Sequence, residues 1–144
     1  MAAIEIFSPQ SVEPWLVEFV NRMLSQLTSD FHPMQESDLE SLLDSESSRL
    51  YVISVDGVPA GMLTLCHYYA PTGCKAWVED VVVDYLKRGM GLGRKIVEYA
   101  LDEAKKLSPC TVLLTSRPSR KEANRLYQSV GFEARETNVY RCKK

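Results

Sequence analysis

No stretch of this 144-residue chain approaches the roughly 18 consecutive apolar residues that a membrane-spanning helix requires. The start, Met1-Ala2-Ala3-Ile4-Glu5, lacks the basic residues and apolar run of a secretory signal, so a cytoplasmic protein with no membrane partner is expected. Histidine is scarce, at two residues, and none of the four cysteines stands in a C-x-x-C pair or beside a histidine at ligand spacing. No metal is therefore expected. Cys66, Cys74, Cys110 and Cys142 read as scattered thiols rather than a disulfide framework. A surplus of positive charge is also missing, since the net charge is −2, which argues against a nucleic-acid binder. With no repeat, linker or low-complexity segment either, residues 1–144 read as one domain of ordinary composition.

What is present is a clear alternation of strand and helix patterns. Residues 3–7 form a short apolar run. Ser11 precedes a segment with Leu16, Phe19, Val20, Met23, Leu24 and Leu27 at helical spacing. Ser37 and Glu40 have the spacing of a capping box for a second, shorter helix. Two strand-like runs, 50–55 and 58–68, flank Asp56-Gly57, a dipeptide suited to the positive φ angles of a two-residue hairpin turn. Another strand is expected over 75–83, a helix over 92–107, and a strand over 111–115. Ser119 and Glu122 suggest a second capping box, opening a helix that ends at Gly131 with Phe132 packed beyond it. Strands are expected at 132–135 and 137–142. The fold class is α/β (α+β), a mixed sheet of about six to seven strands with helices on both faces.

The most informative stretch joins the strand ending Val81-Val82-Val83 to the following helix. It reads Arg88-Gly89-Met90-Gly91-Leu92-Gly93-Arg94. Glycines let a ligand approach the backbone, and the first amides of a helix are unpaired and lie at its positive end. Such a place suits phosphate, and Lys87, Arg88, Arg94 and Lys95 strengthen the attraction. The Walker A and dinucleotide patterns both fail here, because Arg94 stands where each requires something else.

The stretch does resemble the pyrophosphate loop of the GNAT superfamily of acetyl-CoA-dependent N-acetyltransferases, [RQ]-x-x-G-x-[GA], with Arg88, Gly91 and Gly93 in the three specified positions. The run from Trp77 to Leu107 is similar to that superfamily's central strand, loop and helix. Glu122 to Phe132, with Asn124 and Tyr127 three apart, is similar to its later motif. The resemblance implies a GNAT fold with acetyl-CoA as co-substrate. It implies that the main chain of Val81, Val82 and Val83 pairs with the pantetheine arm. Arg88, Gly89, Met90, Gly91, Leu92, Gly93 and Arg94 would wrap the diphosphate, and Asn124 would reach the cofactor as well. The implied reaction is direct attack of a neutral primary amine on the thioester in a ternary complex, where orienting both reactants supplies on the order of 7–11 kcal/mol.

Two proton transfers remain, one from the amine and one to the departing thiolate. Tyr127 matches the superfamily's tyrosine and is the candidate acid, against the alternative of a packed core aromatic. Glu79 is the candidate base. Period-2 alternation places it on one face with Trp77, Val81 and Val83, and Asp80 on the other. A carboxylate in an apolar strand needs pairing or water, and pairing with Lys75 is its competing explanation. Glu79-Asp80-Val81-Val82-Val83 also resembles a segment of glucosamine-6-phosphate N-acetyltransferases. The acceptor stays open among amino sugars, polyamines, amino acids and protein amines, with Phe31, His32, Tyr68 and Tyr69 as candidate lining residues. Self-association as a homodimer is left open too. The rival reading is a non-catalytic acyl-CoA-binding regulator.

Overall fold

Strand β1 (Ile4–Phe7) begins the chain and is followed by two helices, α1 (Pro14–Leu27) and α2 (Glu36–Asp44). A meander of three antiparallel strands comes next: β2 (Ser48–Val55), β3 (Val58–Ala70) and β4 (Gly73–Val83). Helix α3 (Leu92–Ala104) crosses over to β5 (Cys110–Leu113), which lies parallel to β4, and α4 (Lys121–Ser129) closes the order. The sheet has the order β1-β2-β3-β4-β5. The computed structural model describes all 144 residues. They group into two compact units, Met1–Leu114 and Thr115–Lys144.

The hairpin at Asp56-Gly57 forms as its residues dictate, with φ of 50° and 81°. Asp56 also receives the Ala3 amide on its Oδ1 at 2.8 Å, fastening β1 to the turn. Apolar alternation sorts the strand residues onto two faces. Leu50, Val52, Met62 and Val82 share a buried cluster with Leu16, Phe19, Val20 and Met23 of α1 and Leu39 of α2. On the opposite face α3 buries Leu92, Ile96, Val97, Ala100 and Ala104. There Tyr51 meets Tyr99 edge-on, with ring centroids 5.3 Å apart. Its hydroxyl donates to Glu103 at 3.3 Å, and burial followed by the Glu103 charge pushes the Tyr51 pKa up to about 12.

Several local details differ from the expectations. Helix α1 is capped by Glu13 rather than Ser11, because Pro14 supplies the fixed φ and absent N–H that suit a first helical position. The box at α2 is built two residues earlier than Ser37 and Glu40. Asp38 accepts the Gln35 amide at 2.9 Å. Arg120, not Ser119, occupies the cap of α4, and no side chain bonds the open amides there.

The sheet has five strands, fewer than the six to seven expected. The segments 132–135 and 137–142 form none, since a strand gains its stability only from a neighbour's ladder and these residues pair with nothing. Cys74 and Cys110, read as separate thiols, are disulfide-bonded. The parallel pairing sets them directly opposite one another, which their separation of 36 residues conceals in the sequence.

Candidate active site

The stretch between β4 and α3 has the conformation its glycines anticipate. Gly89 and Gly91 take φ of 85° and 74°, a left-handed region costly for side-chain-bearing residues. Gly91 is the cap of α3, and the first helical bond runs from the Lys95 amide to its carbonyl at 3.1 Å. The amides of Leu92 and Gly93 therefore have no partner within the helix. A Cβ at Gly89 or Gly91 would meet nothing within 4 Å, so the backbone there is open on its outer side. Arg88 and Met90 are exposed, and Arg94 pairs with Glu98 at 3.0 Å one turn on.

An anchor that the sequence analysis missed holds the entrance to this turn. Asp84 is buried, with only 4% of its surface exposed. It accepts the Leu86 amide at 3.1 Å and the Gln26 side chain at 3.4 Å, and it forms an ion pair with Arg22. Gln26 in turn accepts the Tyr85 amide at 2.9 Å. Burial alone would raise the Asp84 pKa, but the bonds from Leu86, Arg22 and Gln26 and the Arg22 charge together hold it below the usual carboxylate range. The signal in the sequence was one acid placed after a β-branched run, without its partners on α1.

Strand β4 is bulged where the candidate base stands. Thr64 faces Glu79 and Met62 faces Val82, so the single residue Leu63 spans both Asp80 and Val81. Asp80 absorbs the extra length with φ of 49°. The bulge breaks the simple alternation. Directly paired residues share a sheet face, so Glu79 lies on the face of Thr64, Met62 and Val82, whereas Val83, opposite Gly61, lies on the other. The expected grouping of Glu79 with Val81 and Val83 is thereby corrected, while its grouping with Trp77 holds. Solvent reaches both acids, yet partial burial raises the pKa of Glu79, with the neighbouring Asp80 charge adding to it, and burial raises Asp80 as well.

The same strand has a free edge. β5 pairs only with Cys74 to Trp77, so no β5 residue lies beside Val78 to Val83. The amides and carbonyls on that side of Val81, Val82 and Val83 are left for another partner, as a strand-like ligand arm requires.

In the unit Thr115–Lys144, Gly131 takes φ of 108° and ends α4. Its amide bonds the Gln128 carbonyl at 3.2 Å, and the Phe132 amide reaches back to the Tyr127 carbonyl at 3.0 Å, completing a Schellman motif. Tyr127 is buried against Phe132, with ring centroids 6.0 Å apart. Burial raises its pKa against the lowering charge and hydrogen bond of Arg120, so the phenol stays protonated at neutral pH. Asn124 spends its side-chain amide on the Arg117 carbonyl at 3.0 Å. Ser116 is a further residue the sequence did not flag: its hydroxyl is shielded from solvent without a partner.

Among the candidate lining residues, Tyr68 lies on the Glu79 face, where its hydroxyl accepts a hydrogen bond from Trp77 Nε1 at 3.3 Å. Tyr69 lies on the opposite face, edge-on to His67 at 6.0 Å. Phe31 and His32 occupy the connection between α1 and α2, which Asn21 ties down by two bonds to the Met34 backbone, at 2.7 and 3.1 Å.

This architecture has relatives. Residues 4–132 match the acetyltransferase (GNAT) family. The chain belongs to that family. Solved structures with the same fold include a CoA complex of an aminoglycoside N-acetyltransferase, with TM-score 0.80 and 16% identity over 100% of this chain and 97% of that one. An Arabidopsis thaliana glucosamine-6-phosphate N-acetyltransferase gives 0.78 and 22%, covering 99% of each chain. A Trypanosoma brucei acetyltransferase gives 0.77 and 22%, over 98% of this chain and 100% of that one. No curated protein sequence matches the chain. As a GNAT member it contains no helix long and apolar enough to cross a membrane.

Proposed function

We propose that this GNAT protein is an N-acetyltransferase that moves the acetyl group of acetyl-CoA to a primary amine by direct attack in a ternary complex, with residues 1–144 acting as one domain. The observation that carries the reading is the junction of β4 and α3. A strand edge left free by β5 leads into a glycine-capped helix start with open amides. A molecule with an amide-bearing arm followed by a diphosphate matches both features in order. That the aminoglycoside enzyme of the same fold was solved with CoA supports the choice of ligand.

In this reading the backbone of Val81, Val82 and Val83 pairs with the pantetheine arm, and Arg88 to Arg94 surround the diphosphate, with Asn124 contributing to the same ligand. Glu79 takes a proton from the attacking ammonium-derived amine. Its raised pKa makes it a better base than an ordinary carboxylate. As the C–N bond forms and the C–S bond breaks, Tyr127 donates its phenolic proton to the thiolate of CoA. No metal is called for.

Two assays test the proposal together: calorimetric titration with acetyl-CoA, and thiol release in the presence of amines. Saturable binding with thiol release from at least one amine is the expected result. Binding with no release from any amine would favour an acyl-CoA-binding regulator, and no binding would overturn both readings.

A further inference from the structure

The sheet face beneath α1 and α2 is covered along only part of its length. The helices bury Leu50, Val52, Met62 and Val82. Pairing extends that face outward: Leu50 opposes Thr64, which opposes Glu79, and in the next row Ser48 opposes Cys66, which opposes Trp77. Tyr68 follows on β3. On the other face, the matching positions Leu63, Leu65, Ala76 and Val78 are all buried. Here Ser48, Thr64, Cys66 and Trp77 remain partly open, and Tyr68 and Glu79 are exposed. The result is a floor with two aromatic side chains tied together at one end and a carboxylate at the other.

Its charge restricts what can lie on it. Glu79 presents negative charge, and the adjoining Asp80, opposite Leu63 on the other face, adds to the negative potential around it. Lys75, the one basic residue these strands place on this face, is engaged by the Thr72 hydroxyl at 2.5 Å near the hairpin tip. Arg49 points to the opposite face, as the partner of Leu65. A phosphate would meet the Glu79 carboxylate and no guanidinium fork from these strands. An ammonium group meets its counter-charge, and the apolar face of a ring beside it meets Trp77 and Tyr68.

We propose that this uncovered floor, built on Trp77, Tyr68 and Glu79, is the acceptor site, and that it takes a cationic primary amine carried on a ring with an apolar face and bearing no phosphate. The inference rests on the acetyltransferase reading above and narrows it. Aryl and sugar rings share this chemistry, and the test separates them.

Trp15 and Trp77 are the two tryptophans, so Trp15→Phe leaves Trp77 as the sole tryptophan, read by excitation selective for indole. That variant, with CoA present, is titrated with 2-phenylethylamine, glucosamine, glucosamine 6-phosphate and butylamine. Saturable changes in Trp77 emission are expected for one or both ring amines, with butylamine weaker by about 3- to 30-fold, the range of a lost aromatic or cation–π contact. The phosphorylated sugar should bind more weakly than glucosamine, because its phosphate is repelled by Glu79. An unresponsive Trp77, or tightest binding of glucosamine 6-phosphate, would overturn the inference. In thiol-release assays, Trp77→Leu should raise KM for the preferred ring amine by a similar factor and raise that for butylamine less. An equal loss for both amines would mark Trp77 as structural and overturn the proposal. A ring amine that shifts Trp77 emission without thiol release supports the floor and refutes acetyl transfer. Thiol release from amines that never affect Trp77 refutes the floor and leaves the reaction standing.

Discussion

Gly61 offers a sharp test of how closely β3 supports the proposed cofactor strand. It lies on β3 directly opposite Val83, and a Cβ there would sit 3.0 Å from the Val82 carbonyl oxygen, 3.0 Å from Ile53 Cγ2 and 3.4 Å from Val83 Cα. Its φ is not in the left-handed region, so Gly61→Ala adds no backbone strain. The methyl group must instead displace backbone on β4 by a few tenths of an ångström or more. Overpacking of this kind typically costs about 1–3 kcal/mol. Alanine recovers about 0.5–1 kcal/mol relative to glycine by restricting the unfolded chain. The two ranges combine to a net loss of about 0–2.5 kcal/mol, centred on about 1 kcal/mol or roughly 3–4 °C in Tm for a chain of this size. Because the displaced atoms are the backbone of Val82 and Val83, acetyl-CoA affinity should fall as well.

Gly57→Ala is the control. Gly57 has φ of 81° and open space around its Cβ position, far along the hairpin from Val82. It should lose about 1–2 kcal/mol through strain alone and bind acetyl-CoA as the parent protein does. Thermal melts and calorimetry on the two variants decide the matter. A Gly61→Ala protein as stable as the parent, with unchanged affinity, would refute the argument that β3 fixes the position of the Val82–Val83 backbone.

Three further outcomes follow from the site. Tyr127→Phe should lower kcat by about 100-fold, at the low end for loss of a general acid, with little change in acetyl-CoA affinity measured by calorimetry. Glu79→Gln should lower kcat and abolish the acid limb of the pH–rate profile; in the parent enzyme that limb should lie above the ordinary carboxylate range, because burial and Asp80 raise the pKa. Asp84→Asn should cost about 1–2 kcal/mol at neutral pH, as Asp84 is buried while its partner Arg22 is half-exposed. The sign follows from its lowered folded-state pKa: the carboxylate's contribution is present above the unfolded value and is lost as pH falls through the folded one. Urea melts of parent and variant should therefore converge at acid pH.

Features set by neighbouring residues along the chain were legible in the sequence. Asp56-Gly57 specifies its own turn, and Gly131 with Phe132 specifies the end of α4, because a left-handed glycine and one apolar contact suffice. Gly91 likewise announces an open helix start, with the family resemblance supplying the ligand. Features set by distant partners were not legible. The bulge at Asp80 depends on where β3 registers against β4, so counting alternate residues misplaced Val83 relative to Glu79. The grip on Asp84 needs Arg22 and Gln26, which α1 presents from some sixty residues earlier. The disulfide between Cys74 and Cys110 needs the parallel pairing of β4 with β5. The expected strands beyond Phe132 failed because strand-like alternation carries no information about whether an edge stands beside it.

The central claim concerns backbone amides, and amide resonances report on it directly. Titrating isotope-labelled protein with CoA and following each backbone N–H should shift Gly89, Gly91, Leu92 and Gly93 most, with Val81 to Val83 close behind. Shifts confined to a remote region, such as the hollow between Ser8 and Arg49, or no shift at saturating CoA, would contradict the account.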